Sequence, residues 1–96
     1  MDLNDLLLAK RAEILQLAAK HGARNVRVFG SASRKDTNDN SDVDFLIEVA
    51  PVHSPFFPGG LLADLEELLG RRVDIVTEKG LHWYIREQVL KEAVPL

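Results

Sequence analysis

The stretch from residue 42 to residue 49 constrains the fold more than any other part of this chain. Every second side chain in it is apolar, and two aspartates stand among the residues between. Alternation with period two is typical of a β-strand, because successive side chains point to opposite faces of a sheet. The stretch therefore predicts a strand with one fully apolar face that packs on a core. The residues of that face are Val43, Phe45, Ile47 and Val49.

The rest of the chain supplies helices and two more strands around this one. We expect a small mixed α/β sheet with its helices packed on one side. The predicted elements, in chain order, are a helix over 2–21 ending at Gly22, a strand over 24–29, a turn or short helix over 31–35, a polar loop over 36–41, the strand over 42–49, a loop over 51–60, a helix over 61–69, a strand over 71–76, and a last helix that Thr77 caps and that runs to about Ala93.

Length and composition predict one domain over residues 1–96. Of the 96 residues 46% are hydrophobic, which is enough for a modest core, and there is no cysteine for a disulfide or a thiolate metal site. No segment has the length of a membrane span, and the N-terminus lacks the pattern of a signal peptide. We therefore expect a cytoplasmic protein that does not interact with membranes.

The charge balance limits the partners. The formal net charge is −3 and the twelve basic residues are scattered along the chain. Long nucleic acid requires several phosphates to be neutralised together, so it is not expected as a direct partner. A small anion that arrives with a metal ion remains compatible, since the metal brings its own positive charge.

Three aspartates form a candidate metal site. Asp42 and Asp44 lie two apart on the predicted strand, so their carboxylates project from one face about 6.5–7 Å apart at the backbone. Asp74 adds a third carboxylate from another strand, either as a base for an incoming hydroxyl or as a further ligand. Oxygen ligands of this kind suit Mg²⁺, and a pair of ions can clamp both reacting oxygens of an in-line displacement. The alternative is a solvated sheet face on which the acids point at water.

Gly30 and Ser31 favour the site over the solvated face. A glycine at a strand end lets the backbone approach an anion, and the amides that follow can meet phosphate oxygens. Ser31 and Ser33 add hydroxyls, and Arg34 can contact phosphates. Each signal alone is weak, since Ser31 by itself is also an ordinary helix N-cap.

Taken together, Gly30-Ser31, ten intervening residues, Asp42-Val43-Asp44 and a later strand aspartate resemble the polymerase-β-type nucleotidyltransferase signature. The short length, Val-Arg-Val-Phe-Gly-Ser over 26–31, and Ser-Asp-Val-Asp-Phe-Leu-Ile-Glu-Val over 41–49 look like its minimal branch. That branch comprises the MntA-like MNT-domain antitoxins, which pair with HEPN-domain toxins. The likeness extends over nearly the whole chain, including Val-Asp-Ile-Val-Thr-Glu-Lys-Gly-Leu over 73–81.

The resemblance implies a fold, a reaction and a partner. The fold is a small polymerase-β-like mixed sheet flanked by helices. Gly30 and Ser31 would hold the nucleotide triphosphate, Asp42 and Asp44 would bind Mg²⁺, and Asp74 would complete the triad. The enzyme would move AMP from ATP onto a tyrosine of a HEPN RNase toxin, silencing it and releasing pyrophosphate. Homo- or hetero-oligomers are compatible with such pairing.

Some features depart from the family pattern or remain open. Lys35 stands where glycine is common in the branch, although Arg34 is kept. Phe56 and Phe57 lie in a loop, where they either plug a core edge or contact a nucleotide or a partner. Trp83 and Tyr84 are expected to pack in the core, with contact to a partner as the alternative. The three histidines, His21, His53 and His82, show no shared metal spacing and are interpreted as incidental.

Two functions are thus weighed for the chain. Under the first, it is an AMP-transferring enzyme that depends on a second polypeptide for its acceptor, because so short a chain has no room for an acceptor-binding domain. Under the second, it is a binding module that sequesters the toxin. Three mutually repelling acids favour the enzyme, since a disused site has no physical reason to keep them.

Overall fold

The computed structural model describes residues 3–30 and 42–96. The predicted short helix over 31–35 and the polar loop over 36–41 lie outside these residues. Within the described part of the chain no helix is both long enough and apolar enough to cross a bilayer. The elements are α1 (Leu3–Ala9), α2 (Arg11–His21), β1 (Ala23–Phe29), β2 (Val43–Val49), α3 (Gly59–Leu69), β3 (Val73–Thr77), α4 (Trp83–Glu92) and β4 (Val94–Pro95).

The four described strands form one mixed sheet in the order β3-β2-β1-β4. β2 pairs antiparallel with β1 and parallel with β3, while β4 pairs antiparallel with β1. The mixed sheet predicted from the sequence is therefore confirmed. The short β4 was not predicted, because two residues are too few to show alternation.

The apolar face of β2 forms the centre of the main core. Val43, Phe45 and Ile47 are almost completely buried against leucines of the first three helices. Burying each of these side chains stabilises the fold by about 1.5–3 kcal/mol. Val49, which was predicted to share this face, is 38% exposed because it is the last residue of the strand.

A second, smaller core lies on the opposite face of the sheet. Leu46 of β2 is completely buried there, in a cluster with Leu81 and Val89. Val89 belongs to α4, so this helix covers the face that also carries Asp44. The expectation that all helices pack on one side is therefore wrong. The sequence feature that indicated this second core was Leu46, because it is an apolar residue among the polar positions of β2.

Two helix boundaries also differ from the prediction. The helix expected over 2–21 is divided at Lys10 into α1 and α2. The last helix begins at Trp83 and not after Thr77, because Thr77 is the final residue of β3 and its hydroxyl accepts a hydrogen bond from the Gly80 N–H. His82 caps α4 instead, with its Nδ1 accepting from the Tyr84 N–H at 3.2 Å.

Candidate active site

Asp44 and Asp74 are direct neighbours across the parallel pair of β2 and β3. Their Cα atoms are register partners, so both side chains leave the same face of the sheet. Phe29 is the register partner of Asp44 on the other side, in β1. Asp44 is half-buried and Asp74 is exposed. Two of the three predicted acids thus occupy adjacent positions on one face.

Gly30 closes one side of this site. It has a left-handed backbone with φ of 68°, which glycine adopts without steric cost. A β-carbon built at Gly30 would lie 2.6 Å from Oδ2 of Asp44, well inside van der Waals contact. The missing side chain therefore leaves the space that the Asp44 carboxylate occupies. The close approach of this glycine to a nucleotide phosphate stays a prediction, and the group that the structure places beside it is the Asp44 carboxylate.

Asp42 stands just ahead of β2 and is exposed. Its Oδ1 lies 3.5 Å from Nε of Arg72, a residue that the sequence analysis did not single out. The Arg72 carbonyl accepts a hydrogen bond from the Val43 N–H at 3.0 Å, which extends the β2–β3 ladder by one step. The sequence feature that could have drawn attention to Arg72 was its spacing, since it stands two residues before Asp74.

The start of β3 is also fixed from the helical layer. A carboxylate oxygen of Glu66, on α3, accepts a hydrogen bond from the Val73 N–H at 3.1 Å. This bond joins the end of a core helix to the strand residue that precedes Asp74. The backbone that carries Asp74 is consequently held between β2 and α3.

The donor atoms of this region fit a hard divalent cation such as Mg²⁺. Asp44 and Asp74 offer carboxylate oxygens side by side, and these are the ligands that Mg²⁺ prefers. Among residues 3–30 and 42–96, however, no three His, Asp or Glu side chains stand together as a ready-made metal cluster. Asp42, the third acid, is engaged by Arg72.

Ser31, Ser33 and Arg34 fall outside the described residues, as does Lys35. Their expected contacts with nucleotide phosphates therefore stay predictions. Gly30 is the described residue that leads into this segment.

The same sheet face carries an ion-pair network that links the sheet to α4. Nη2 of Arg27 donates to Oε2 of Glu78 at 2.8 Å, and Nη1 of Arg86 donates to the Glu78 carbonyl at 2.6 Å. The hydrogen bond from Arg27, with the positive charges of both arginines, lowers the pKa of Glu78 below its ordinary value of 4.5. The network attaches α4 to the end of β3. Sequence reasoning missed it because Arg27 lies 51 residues before Glu78 and only the fold brings the two together.

His21 has a structural role that its sequence position did not reveal. One ring nitrogen, Nε2, lies 2.7 Å from Oδ2 of Asp64, and the other, Nδ1, lies 3.0 Å from Oγ of Ser54. These contacts join the end of α2 to the loop before α3 and to α3 itself. The expectation that this histidine is incidental is wrong.

The aromatic residues divide between core and surface. Phe57 packs against the main core, whereas Phe56 is 86% exposed. Trp83 and Tyr84 are 79% and 77% exposed at the start of α4. Their predicted packing in the core is therefore wrong, because α4 turns its Val89 face to the sheet and these two residues away from it.

Comparison with known proteins gives the class that the fold and these residues define. The nucleotidyltransferase domain family matches residues 12–96. The chain belongs to this family and is a nucleotidyltransferase.

Its relatives fall in the minimal, MntA-type branch of the family. A protein of Methanocaldococcus jannaschii, provisionally named a protein adenylyltransferase, is 32% identical over 98% of this chain and 97% of its own length. Protein adenylyltransferase MntA of Thermococcus cleftensis is 34% identical over 97% of this chain and 91% of its own length.

Solved structures agree with this assignment. A provisionally named minimal nucleotidyltransferase superposes with a TM-score of 0.87 at 47% identity, covering all of this chain and 97% of the other. A toxin-antitoxin solved with AMP-PNP has a TM-score of 0.74 at 22% identity, covering 88% of this chain and 69% of that one. At that identity the second likeness shows the fold alone.

Proposed function

We propose that this nucleotidyltransferase is an antitoxin that transfers AMP from ATP to a tyrosine hydroxyl of a partner HEPN RNase toxin. The observation that carries the proposal is the Asp44–Asp74 pair next to Gly30, which joins two carboxylates on one sheet face in a chain of this family. We take residues 1–96 as a single domain that needs a second protein for its acceptor.

The reaction is an in-line displacement at the α-phosphorus of ATP. The tyrosine oxygen forms a bond to that phosphorus, and the bond from it to the oxygen bridging toward the β-phosphorus breaks. Pyrophosphate leaves with the electron pair of the broken bond. The phenolic proton passes to the carboxylate of Asp74, which lies exposed beside Asp44.

The remaining residues bind and orient the substrate. Asp42 and Asp44 would hold a pair of Mg²⁺ ions with Asp74 as a further ligand, and bound Mg²⁺ would supply positive charge against the phosphates. Gly30 keeps the backbone close to Asp44. Ser31, Ser33 and Arg34 are proposed to contact the triphosphate, as hydroxyl and guanidinium groups do.

The names of similar proteins support the choice of acceptor. The Thermococcus cleftensis relative is named a protein adenylyltransferase, and a solved structure with the same fold is a complex of MntA with HpeT. We infer from these names a toxin partner for this chain, and we propose that this partner is a HEPN protein, as the sequence resemblance implies. Because ATP is the proposed substrate, we place the enzyme in the cytoplasm, where ATP is supplied.

A second function, neutralisation by binding without chemistry, has its own supporting observation. Trp83 and Tyr84 expose large aromatic surfaces next to each other, and such residues are enriched at protein interfaces. A surface of this kind would serve a sequestering antitoxin as well as an enzyme that must hold its acceptor protein. The two functions therefore differ in whether the aspartates are needed.

The experiment combines the purified protein, Mg²⁺, labelled ATP and the HEPN protein encoded next to it. We expect label on the partner, a mass increase equal to one or more AMP groups, release of pyrophosphate, and loss of the partner's RNase activity. The same assay is run with an Asp42→Ala, Asp44→Ala double variant. Glu67→Gln, an exposed acid on α3, is the matched control and should transfer AMP normally.

The outcomes separate the two functions. If the double variant loses both label transfer and neutralisation, the enzymatic function stands. If the native protein transfers no label and the double variant still silences the toxin at equimolar concentration, binding alone accounts for the activity. Thermal unfolding of each variant establishes that a loss of transfer does not reflect loss of the fold.

A further inference from the structure

Arg72 and Asp42 form an ion pair at the edge of the site. Nε of Arg72 lies 3.5 Å from Oδ1 of Asp42, and the side chains are 85% and 52% exposed, respectively. Pairs as exposed as this contribute little to the stability of a fold. The main consequence of the pair is therefore local, since it sets the charge at one corner of the site.

The sheet register places Arg72 among the three acids. Asp44 is the register partner of Asp74, and the hydrogen bond from the Val43 N–H to the Arg72 carbonyl continues the same ladder. With period two along each strand, Asp42 and Asp44 share a face with Arg72 and Asp74. Asp42 and Arg72 thus stand one step beyond the Asp44–Asp74 pair along the two strands, although the three carboxylates do not form a ready-made metal cluster among the described residues.

We propose that Arg72 is an exchangeable counter-ion of the nucleotide site. Without ligand it holds Asp42, and when Asp42 turns to a divalent cation it releases that carboxylate and contacts a phosphate of the nucleotide. The inference rests on the proposed function, because it assumes that the acids receive a metal and a triphosphate. It adds a positioning and binding residue that the Gly-Ser and aspartate pattern does not contain.

The exchange follows from the charges of Arg72 and Asp42. A guanidinium and a divalent cation repel each other, so they compete for the same carboxylate. The released guanidinium then lies beside a site that holds phosphate oxygens, and arginine binds phosphate through a planar fork of N–H donors. Because the side chain of Arg72 is 85% exposed, packing does not oppose its movement.

This exchange gives two effects of opposite sign when Arg72 is removed. Arg72→Ala frees Asp42 from its competitor, so we expect Mn²⁺ alone to bind about twofold more tightly. The same variant lacks a phosphate contact, so we expect ATP to bind about tenfold more weakly in the presence of Mg²⁺. Arg72→Lys should recover part of the ATP affinity, since it keeps the charge without the fork.

Arg24→Ala is the matched control. Nε of Arg24 lies 3.9 Å from Oε2 of Glu48, the side chains are 62% and 41% exposed, and the two residues are register partners of β1 and β2. The variant removes the same charge from an exposed pair near the opposite end of β2. We expect it to leave both the Mn²⁺ and the ATP affinity unchanged.

The experiment measures binding of Mn²⁺ alone and of ATP with Mg²⁺ by isothermal titration calorimetry, for the native protein and all three variants. Tighter Mn²⁺ with weaker ATP in Arg72→Ala supports the exchange. Unchanged ATP affinity in this variant, or a parallel loss of both affinities, overturns it while the proposed function stands on native binding and transfer. A native protein that neither binds ATP nor transfers AMP overturns the proposed function and the exchange with it.

Discussion

The Asp44 carboxylate lies in the space that a side chain at Gly30 would need, where the end of β1 adjoins β2. A β-carbon at Gly30 would stand 2.6 Å from Oδ2 of Asp44, and the backbone of Gly30 is left-handed. The glycine is thus required twice, once for its φ angle and once for the carboxylate beside it. A single substitution would disturb both the turn and the site.

Gly30→Ala should reduce nucleotidyl transfer much more than it reduces stability. The left-handed φ costs an alanine about 1–2 kcal/mol, and the added methyl group must displace the Asp44 carboxylate. We expect transfer to fall at least about tenfold, since one ångström of misplacement already has a large effect on a reacting group. Transfer rate and chemical denaturation are measured on the same preparation.

Gly70→Ala is the control for the backbone strain in that experiment. Gly70 has nearly the same φ, 64°, but a β-carbon there has no atom within 4 Å. It should lose a similar free energy of unfolding and keep its transfer rate. Equal losses of activity in the two variants would mean that strain, and not the contact with Asp44, explains the effect.

Asp74→Asn should abolish most of the transfer while the protein remains folded. The side chain is exposed, so the amide is accommodated without burial cost, but it no longer accepts a proton. We expect a rate loss of about 10²- to 10⁴-fold at unchanged thermal unfolding temperature. Single-turnover label transfer measures this rate, and Glu67→Gln on the surface of α3 is again the control. A variant with near-native transfer would exclude Asp74 as the base.

Glu78 should make stability depend on pH in the acid range. Its pKa is lowered, chiefly by the hydrogen bond from Arg27, so its stabilising contribution is complete above the ordinary value of 4.5. The contribution is then lost as the pH falls below 4.5 through the lowered pKa of the folded state. Glu78→Gln should be less stable than the native protein at neutral pH, and the difference should shrink in acid.

Urea unfolding of the native protein and of Glu78→Gln at a series of pH values measures this difference. Glu87→Gln, which removes an exposed carboxylate from α4, is the control and should follow the native curve. A difference that is constant at all pH values would show that the amide, and not the lost charge, is responsible.

Leu46→Ala should destabilise the fold by about 2–5 kcal/mol. Leu46 is completely buried between the sheet and α4, so its truncation leaves a cavity in the smaller core. Denaturant unfolding followed by circular dichroism measures the change. Leu8→Ala, at a position 75% exposed, should change stability by less than about 0.5 kcal/mol. A loss at Leu46 no greater than at Leu8 would contradict the two-sided architecture.

Much of this molecule follows from local pattern. The alternation over residues 42–49 predicted β2 and its buried face, since period two is imposed by the backbone itself. The same rule placed Asp44 and Asp74 on strands with apolar neighbours. It could not state that they would be direct register partners, because register depends on which strands pair and in which direction.

The two-sided covering of the sheet shows where the local pattern fails. The spacing of the leucines in α3 predicted an amphipathic helix, and that helix does pack on the main core. For α4 the sequence led us to predict that Trp83 and Tyr84 pack in the core. Val89 is the residue that packs against the sheet instead, and both aromatics are exposed. Which side of a helix is buried depends on the surface against which the helix packs. For α4 that surface is the sheet face that carries Leu46.

The sequence by itself determined the class of fold, the candidate acids and the glycine that precedes them, because strand periodicity and turn chemistry act over a few residues. Only the tertiary structure decided that Gly30 gives room to the Asp44 carboxylate, that Asp74 stands beside Asp44, and that Arg72 holds Asp42. These relations join residues from separate strands. They depend on pairing direction, register and side-chain reach, which no single stretch of the chain encodes.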